Sequence, residues 1–110
     1  MTEYSGWLVV MAMPLEAQGV FEQAGIEVLY TGVGKVNAAM VLTRALAGYR
    51  YAGLPLPRVV NFGSAGSRRF DTGTFVACTA FLQRDMDVTG LGFDPGTTPY
   101  EEIPAVLEFP

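Results

Sequence analysis

The chain has 110 residues, enough for one domain, and half of them are hydrophobic while 16% are charged, which excludes an intrinsically disordered chain. Seven Lys and Arg against eleven Asp and Glu give a formal net charge of -4, with no basic cluster longer than Arg68-Arg69, which argues against nucleic-acid binding. No apolar run approaches the ~20 residues of a membrane span. With no histidine and a single cysteine, Cys78, we expect no metal site, no cofactor and a reducing, cytoplasmic location.

The first predicted elements are a strand and a helix, after a polar start at residues 1–6. The run Trp7–Met13 is apolar throughout, as in an interior parallel strand. Pro14 suits the first turn of a helix that Gly25 would close, with an apolar face. Glu16 therefore lies in a first helical turn, just beyond the carboxyl end of a strand. There it is either a structural carboxylate, favoured by ~0.3–1 kcal/mol at a helix N-terminus, or a functional one.

The expected face of this first helix comprises Leu15, Val20, Phe21 and Ala24. A second strand is predicted at Ile26–Tyr30, and the turn Thr31–Lys35 leads from it into a long helix that ends at Gly48 or Gly53. Its Gly-x-Gly matches neither a Walker A loop nor a dinucleotide fingerprint, because the other required residues are absent. The two glycines therefore predict a tight strand-to-helix turn. The residues at helical spacing are Val36, Met40, Thr43, Leu46 and Ala47.

The stretch Arg58–Gly66 is the one around which the rest of the chain is organised. Its β-branched start predicts a strand buried on both faces, and this strand stops at the small residues of Gly63–Gly66. Open α/β sheets bind ligands beyond the carboxyl ends of their strands, so the turn predicts a binding edge, with a tight turn lacking a ligand as the alternative. A further strand is predicted at Thr74–Gln83, which gives the alternating order of an α/β fold.

The remaining residues, 84–110, are rich in glycine and proline, which predicts irregular structure. Asp85 and Asp87 would either bind a hard cation or accept hydrogen bonds from loop amides, and the second is the commoner arrangement. We expect the apolar side chains of this tail to pack on another surface. They are Leu91, Phe93, Tyr100, Ile103, Val106, Leu107 and Phe109.

Four segments, in their order and spacing, resemble the purine nucleoside phosphorylase superfamily and, within it, the 5'-methylthioadenosine/S-adenosylhomocysteine nucleosidases. They are Ala12–Glu16, Thr31–Ala39, Asn61–Gly66 and Arg84–Phe93. The resemblance implies a three-layer αβα sandwich, with residues 1–110 as the N-terminal part of one domain, truncated after about half. It also implies hydrolysis of the N-glycosidic bond of adenine thio-nucleosides, within nucleoside metabolism and methionine salvage.

The same resemblance assigns roles to individual residues. Glu16 matches the carboxylate that orients or deprotonates the attacking water. Leu91 and Pro99 match positions that enter the neighbouring subunit's alkylthio pocket across a homodimer interface. The residues that match the nucleoside pocket are Met13, Val33, Ser64, Ala65 and Gly66.

Two departures from the superfamily pattern bear on activity. Phosphorolytic members carry an arginine where Asn61 stands, so water is the expected nucleophile. The later segments that supply a Met-Glu pair for the ribose and an aspartate for the adenine have no match here, so we expect the isolated chain to be inactive. The alternative is a non-catalytic, truncated domain of the phosphorylase fold that binds nucleosides or dimerises. The expected partners are a nucleoside and either a second copy or a missing C-terminal half.

Overall fold

The computed structural model describes residues 6–110, so the polar start predicted at residues 1–6 lies outside the described residues except for Gly6. The chain divides into two compact units, Met1–Gly66 and Ser67–Pro110. Along the described part of the chain, no helix has the length and apolar character needed to cross a membrane.

The first unit is built on a parallel sheet of three strands in the order β2-β1-β3. The strands are β1 at Trp7–Met11, β2 at Val28–Tyr30 and β3 at Arg58–Asn61. The central strand is the apolar β1, in which Val10 pairs with Leu29 on one side and with Asn61 on the other. Val10 and Met11 are buried, at 6% and 1% exposure. The prediction of an interior parallel strand near the N-terminus is therefore confirmed.

Two one-turn helices stand between β1 and β2, where the sequence predicts a single helix. They are α1 at Pro14–Ala17 and α2 at Val20–Gln23. Gln18 and Gly19 are both left-handed, with φ of 50° and 75°, and two such residues in succession stop a helix. The predicted apolar face is lost with the break, since Leu15 and Val20 are exposed while Ala17 is buried.

The long helix α3, Lys35–Tyr51, connects β2 to β3. It ends before Gly53, whose φ of 72° fits the second of the two predicted stops. Its less exposed side differs from the predicted one and shares only Leu46 with it. That side comprises Ala38, Val41, Leu42, Ala45, Leu46 and Tyr49. Val36 and Met40 are 77% and 55% exposed, because α3 carries apolar residues on two sides and the spacing admits either.

The prediction that β3 is buried on both faces is wrong. All four of its residues are exposed, and even Val59 and Val60 remain 41% and 37% accessible. Within the described residues β3 pairs only with β1, so it is an edge strand. The β-branched composition fixed the strand conformation without fixing how much of it is covered.

The second unit contains a two-stranded antiparallel sheet and a single 3-10 turn at Thr89–Leu91. The strands are β4 at Ala80–Leu82 and β5 at Val106–Glu108. The strand predicted at Thr74–Gln83 is thus shorter than expected, and its partner comes from the tail, where irregular structure was expected. The rings of Phe81 and Phe109 meet edge to face at 5.7 Å and add an apolar contact to this pairing.

Asp87 takes part in a local turn. Its Oδ1 accepts hydrogen bonds from the amide of Thr89 at 3.1 Å and from the Thr89 hydroxyl at 2.7 Å, and these bonds lower the pKa of the carboxyl. The interpretation of Asp87 as an acceptor for a loop amide is therefore confirmed. Over residues 6–110, no group of three or more carboxylates or thiols is placed to hold a metal ion.

Candidate active site

The site forms where the chain leaves β1 and β3 at the same end of the sheet. The two strands are parallel neighbours, and the pairing continues past β3, because the amide of Phe62 donates to the carbonyl of Val10 at 3.0 Å. From β1 the chain turns at once into α1, whose first turn holds Glu16. From β3 it runs into the small-residue turn that holds Ser64. Residues 48 apart in sequence thereby meet at the carboxyl edge, the place where open α/β sheets bind ligands.

Glu16 and Ser64 are joined by two hydrogen bonds. The backbone N–H of Ser64 donates to Glu16 Oε2 at 2.9 Å, and the Ser64 hydroxyl donates to the same oxygen at 2.7 Å. The turn passes directly beside the carboxylate, since a Cβ at Gly63 would lie 3.5 Å from Oε2. The two hydrogen-bond distances, 2.9 and 2.7 Å, are typical of charge-assisted hydrogen bonds to an ionised carboxylate.

These contacts set the protonation state of Glu16. The Ser64 amide, followed by the Ser64 hydroxyl and the backbone of Met13, lowers the pKa of the Glu16 carboxyl below its ordinary 4.5, while partial burial opposes the shift. Hydrogen bonds donated to a carboxylate favour its charged form. Glu16 is therefore an ionised carboxylate at neutral pH, which can accept a proton and has none to give.

The second carboxylate oxygen of Glu16 has a different environment. Oε1 is buried, and among the described residues it has no hydrogen-bond partner. Buried polar atoms without a partner are few in folded proteins, because an unsatisfied acceptor costs free energy. Oε1 is thus the free acceptor of the site.

The other residues predicted for the pocket lie in three places along the chain. Met13 is the residue that precedes α1 and is 37% exposed. Ala65 and Gly66 continue the Ser64 turn and are exposed. Val33 belongs to the turn after β2 and is 63% exposed. The glycines of that turn, Gly32 and Gly34, both have positive φ, at 82° and 95°, which confirms the predicted tight turn.

The two residues predicted for a neighbouring subunit's pocket lie in the second unit. Leu91 is in the 3-10 turn and is 72% exposed, and Pro99 is half-buried. Their assignment stays a prediction.

A separate cleft of about 320 Å³ opens in the first unit between the sheet and α3. Its polar lining residues are Thr31, Lys35 and Asn61, and neither Glu16 nor Ser64 lines it. Thr31 is 7% exposed, and its hydroxyl donates to the carbonyl of Gly32 at 2.9 Å. The cleft exists because small residues line both the sheet and the α3 side. The frequent glycines and alanines of these segments were the feature of the sequence that could have indicated it. The apolar and glycine lining residues are Val10, Ala12, Gly32, Gly34, Ala38, Leu42 and Val59.

Comparisons with known proteins agree with the resemblance of the four segments. The model of the phosphorylase superfamily matches residues 10–109. The 5'-methylthioadenosine/S-adenosylhomocysteine nucleosidase of Anoxybacillus flavithermus is 39% identical over 84 residues, which cover 74% of this chain and 34% of the relative. The nucleosidase of the same name from a Marinomonas species is 36% identical over 84 residues, with the same coverage. That from Bacillus thuringiensis is 39% identical over 80 residues, which cover 69% of this chain and 32% of the relative.

The matched segments therefore span about one third of the length of these curated relatives. The superfamily match, in contrast, extends over nearly the whole of this chain, from the last two residues of β1 through α3 and β3 into the second unit. On that match, the chain belongs to the phosphorylase superfamily.

Proposed function

We propose that this chain carries the water-activating part of a nucleosidase active site. The reaction at that site is hydrolysis of the N-glycosidic bond of adenine thio-nucleosides. The observation that carries the proposal is the ionised Glu16, bonded to Ser64 at the carboxyl edge of a parallel sheet, with a second oxygen free to accept a proton. The names of the relatives, which are nucleosidases of methylthioadenosine and S-adenosylhomocysteine, give the substrate class.

In the proposed reaction, the oxygen of a water molecule bonds to the anomeric carbon of the sugar and its proton passes to Glu16. The bond between that carbon and the adenine nitrogen breaks, and its electron pair leaves with the adenine, which takes up a proton from an acid. Positioned acid or base groups each contribute typically ~10²–10⁴-fold. Glu16 is ionised before the reaction and cannot be that acid, so we propose that the acid comes from a later segment of the superfamily domain and that the isolated chain has negligible activity.

The rest of the proposed site follows the superfamily pattern. Ser64, Ala65 and Gly66 line the nucleoside pocket, with Met13 and Val33 beside the sugar. In a homodimer, Leu91 and Pro99 reach the neighbour's pocket, and the complete domain is a three-layer αβα sandwich. The proposed setting is methionine salvage in a reducing cytoplasm, which fits the exposed, unpaired thiol of Cys78.

A second candidate function is a non-catalytic module that binds nucleosides or dimerises. It is favoured by the large side chains that the described units leave exposed, for example Phe75 at 83% and Tyr51 at 97%. The two candidates differ in one respect that can be measured, namely whether Glu16 matters for turnover.

The test is adenine release from methylthioadenosine in phosphate-free buffer. The assay compares the chain alone with a fusion of the chain to the non-matching remainder of the Anoxybacillus flavithermus nucleosidase. We expect release by the fusion, loss of most of it in the Glu16→Gln fusion and negligible release by the chain alone. Release that required phosphate and produced a sugar 1-phosphate would contradict hydrolysis, and full activity of the Glu16→Gln fusion would contradict the role of Glu16.

A further inference from the structure

The contact between Ser64 and Glu16 combines two donors with one acceptor. Two donors of one residue, a backbone N–H and a hydroxyl, converge on a single carboxylate oxygen at 2.9 and 2.7 Å. The amide belongs to the turn that leaves β3, three residues after the strand ends at Asn61. Two donors at different angles fix the plane of the carboxylate more tightly than one flexible hydroxyl would.

The other carboxylate oxygen of Glu16 accepts no hydrogen bond from the described residues. Oε1 is buried and has no partner among the described residues, although its twin accepts two hydrogen bonds. This asymmetry costs free energy, since buried acceptors are normally satisfied. It gives the carboxylate one anchored oxygen and one available oxygen in a fixed direction.

We infer that Ser64 is a positioning residue for Glu16, which anchors one carboxylate oxygen and thereby presents the other to the reacting water. The inference rests on the proposed function for the identity of that water. It goes beyond the pocket-lining role that the superfamily resemblance gives to Ser64.

The inference also restricts how Ser64 can contact a substrate. A serine hydroxyl has one proton to donate, and that proton is already committed to Glu16. Toward a nucleoside, Ser64 can therefore act only as an acceptor, through the remaining lone pairs of Oγ. Ligand groups that meet Oγ must be donors, such as a sugar hydroxyl or an amino group.

The test uses the whole chain and needs no catalysis. The side-chain carboxyl carbons of glutamate are labelled with ¹³C, and Glu16 is titrated by NMR in the wild type and in Ser64→Ala, Ser64→Thr and Ser67→Ala. Three-bond couplings of Glu16 report its rotamers. Ser67→Ala is the control, because it removes another hydrogen-bonded serine hydroxyl nearby in the chain: that of Ser67 accepts bonds from the amides of Arg69 and Phe70 at 3.0 and 3.2 Å.

We expect Ser64→Ala to move the titration of Glu16 toward higher pH and to average its couplings. Ser64→Thr, which keeps the hydroxyl, should restore both readouts, and Ser67→Ala should leave them unchanged. A titration and couplings that do not respond to Ser64→Ala would overturn the inference, as would an equal response to Ser67→Ala. If Ser64→Ala does not fold, Ser64→Cys weakens the same donor at similar volume and is judged by the same criteria.

A negative result in this NMR experiment can be distinguished from a failure of the proposed function. The NMR readouts test the contact whether or not the protein hydrolyses nucleosides. Adenine release by the fusion tests the reaction whether or not Ser64 orients Glu16.

Discussion

Glu16 links the local chemistry of the site to the pH dependence of the fold. Its two hydrogen bonds from Ser64 exist only in the folded chain, and they lower the pKa of the carboxyl below 4.5. A carboxyl whose pKa is lowered by folding stabilises the fold above its unfolded pKa, and this contribution is lost as the pH falls through the folded pKa. The sign of the effect is thus destabilisation by acid.

We predict that Glu16→Gln removes part of this acid sensitivity. The free energy of unfolding, measured in urea at about pH 7 and about pH 3.5, should fall less between the two values in Glu16→Gln than in the wild type. Glu27→Gln removes an exposed carboxylate elsewhere and controls for the loss of one negative charge. An equal fall in wild type and Glu16→Gln would show that the Ser64 bonds do not hold the ionised form.

The site was only partly predictable from single residues. The position of Glu16 in a first helical turn beyond a strand followed from Pro14 and the apolar run before it, and the structure has it there. Its pairing with Ser64 did not follow, because it depends on β3 lying next to β1. Strand order is set by tertiary packing, and the spacing of residues along the chain does not contain it.

Among the secondary-structure elements, α3 shows most clearly what periodicity determines. Its start after the glycine turn was predictable, and its end falls at the second of the two predicted stops, Gly48 and Gly53, since both ends depend on local backbone preferences. The less exposed side of α3 was not predictable, because apolar residues occupy two opposite sides of this helix. Likewise, the residues of β3 predicted a strand, whereas its exposure depends on a second neighbour that the described residues do not provide.

Substitutions on the two sides of α3 should therefore differ in effect. Leu42 lies on the half-buried side and Met40, 55% exposed, lies on the other. We expect Leu42→Ala to lower the free energy of unfolding by about 1–2 kcal/mol, less than for a fully buried leucine. Met40→Ala is the matched control and should change it by less than about 0.5 kcal/mol. Urea unfolding measures both, and a larger loss for Met40→Ala would mean that the packed side is assigned incorrectly.

Across the two units, most large apolar side chains are exposed to solvent. Among residues 6–110, the buried apolar side chains are Val10, Met11, Ala17 and Pro57, all in the first unit. Many larger ones remain exposed in both units, including Val36, Tyr51, Phe75 and Leu91. A contiguous apolar patch beyond a few hundred Å² is uncommon on a monomer. Such surfaces favour association with a further polypeptide surface, either a second copy or the rest of a superfamily domain.

We predict that the chain self-associates at micromolar concentration, because the exposed apolar tail gains free energy when covered. Sedimentation velocity at ~10 μM should show species heavier than the monomer. The double substitution of Leu91 and Ile103 by Glu, at positions 72% and 56% exposed, should reduce the heavier fraction. Thr72→Glu adds a charge to an exposed loop and should not. A single monomer boundary for the wild type would rule out this prediction.

The location of the nucleoside site is the central claim, and NMR of the ¹⁵N-labelled chain titrated with methylthioadenosine tests it most directly. On the proposed function, the chain carries only part of the nucleoside site, so we expect weak binding, with Kd on the order of 1 mM. The account predicts that the amide signals of Ser64, Ala65 and Gly66 shift first and most, together with that of Glu16. Shifts confined to the cleft between the sheet and α3, at residues such as Val10 and Leu42, would contradict it.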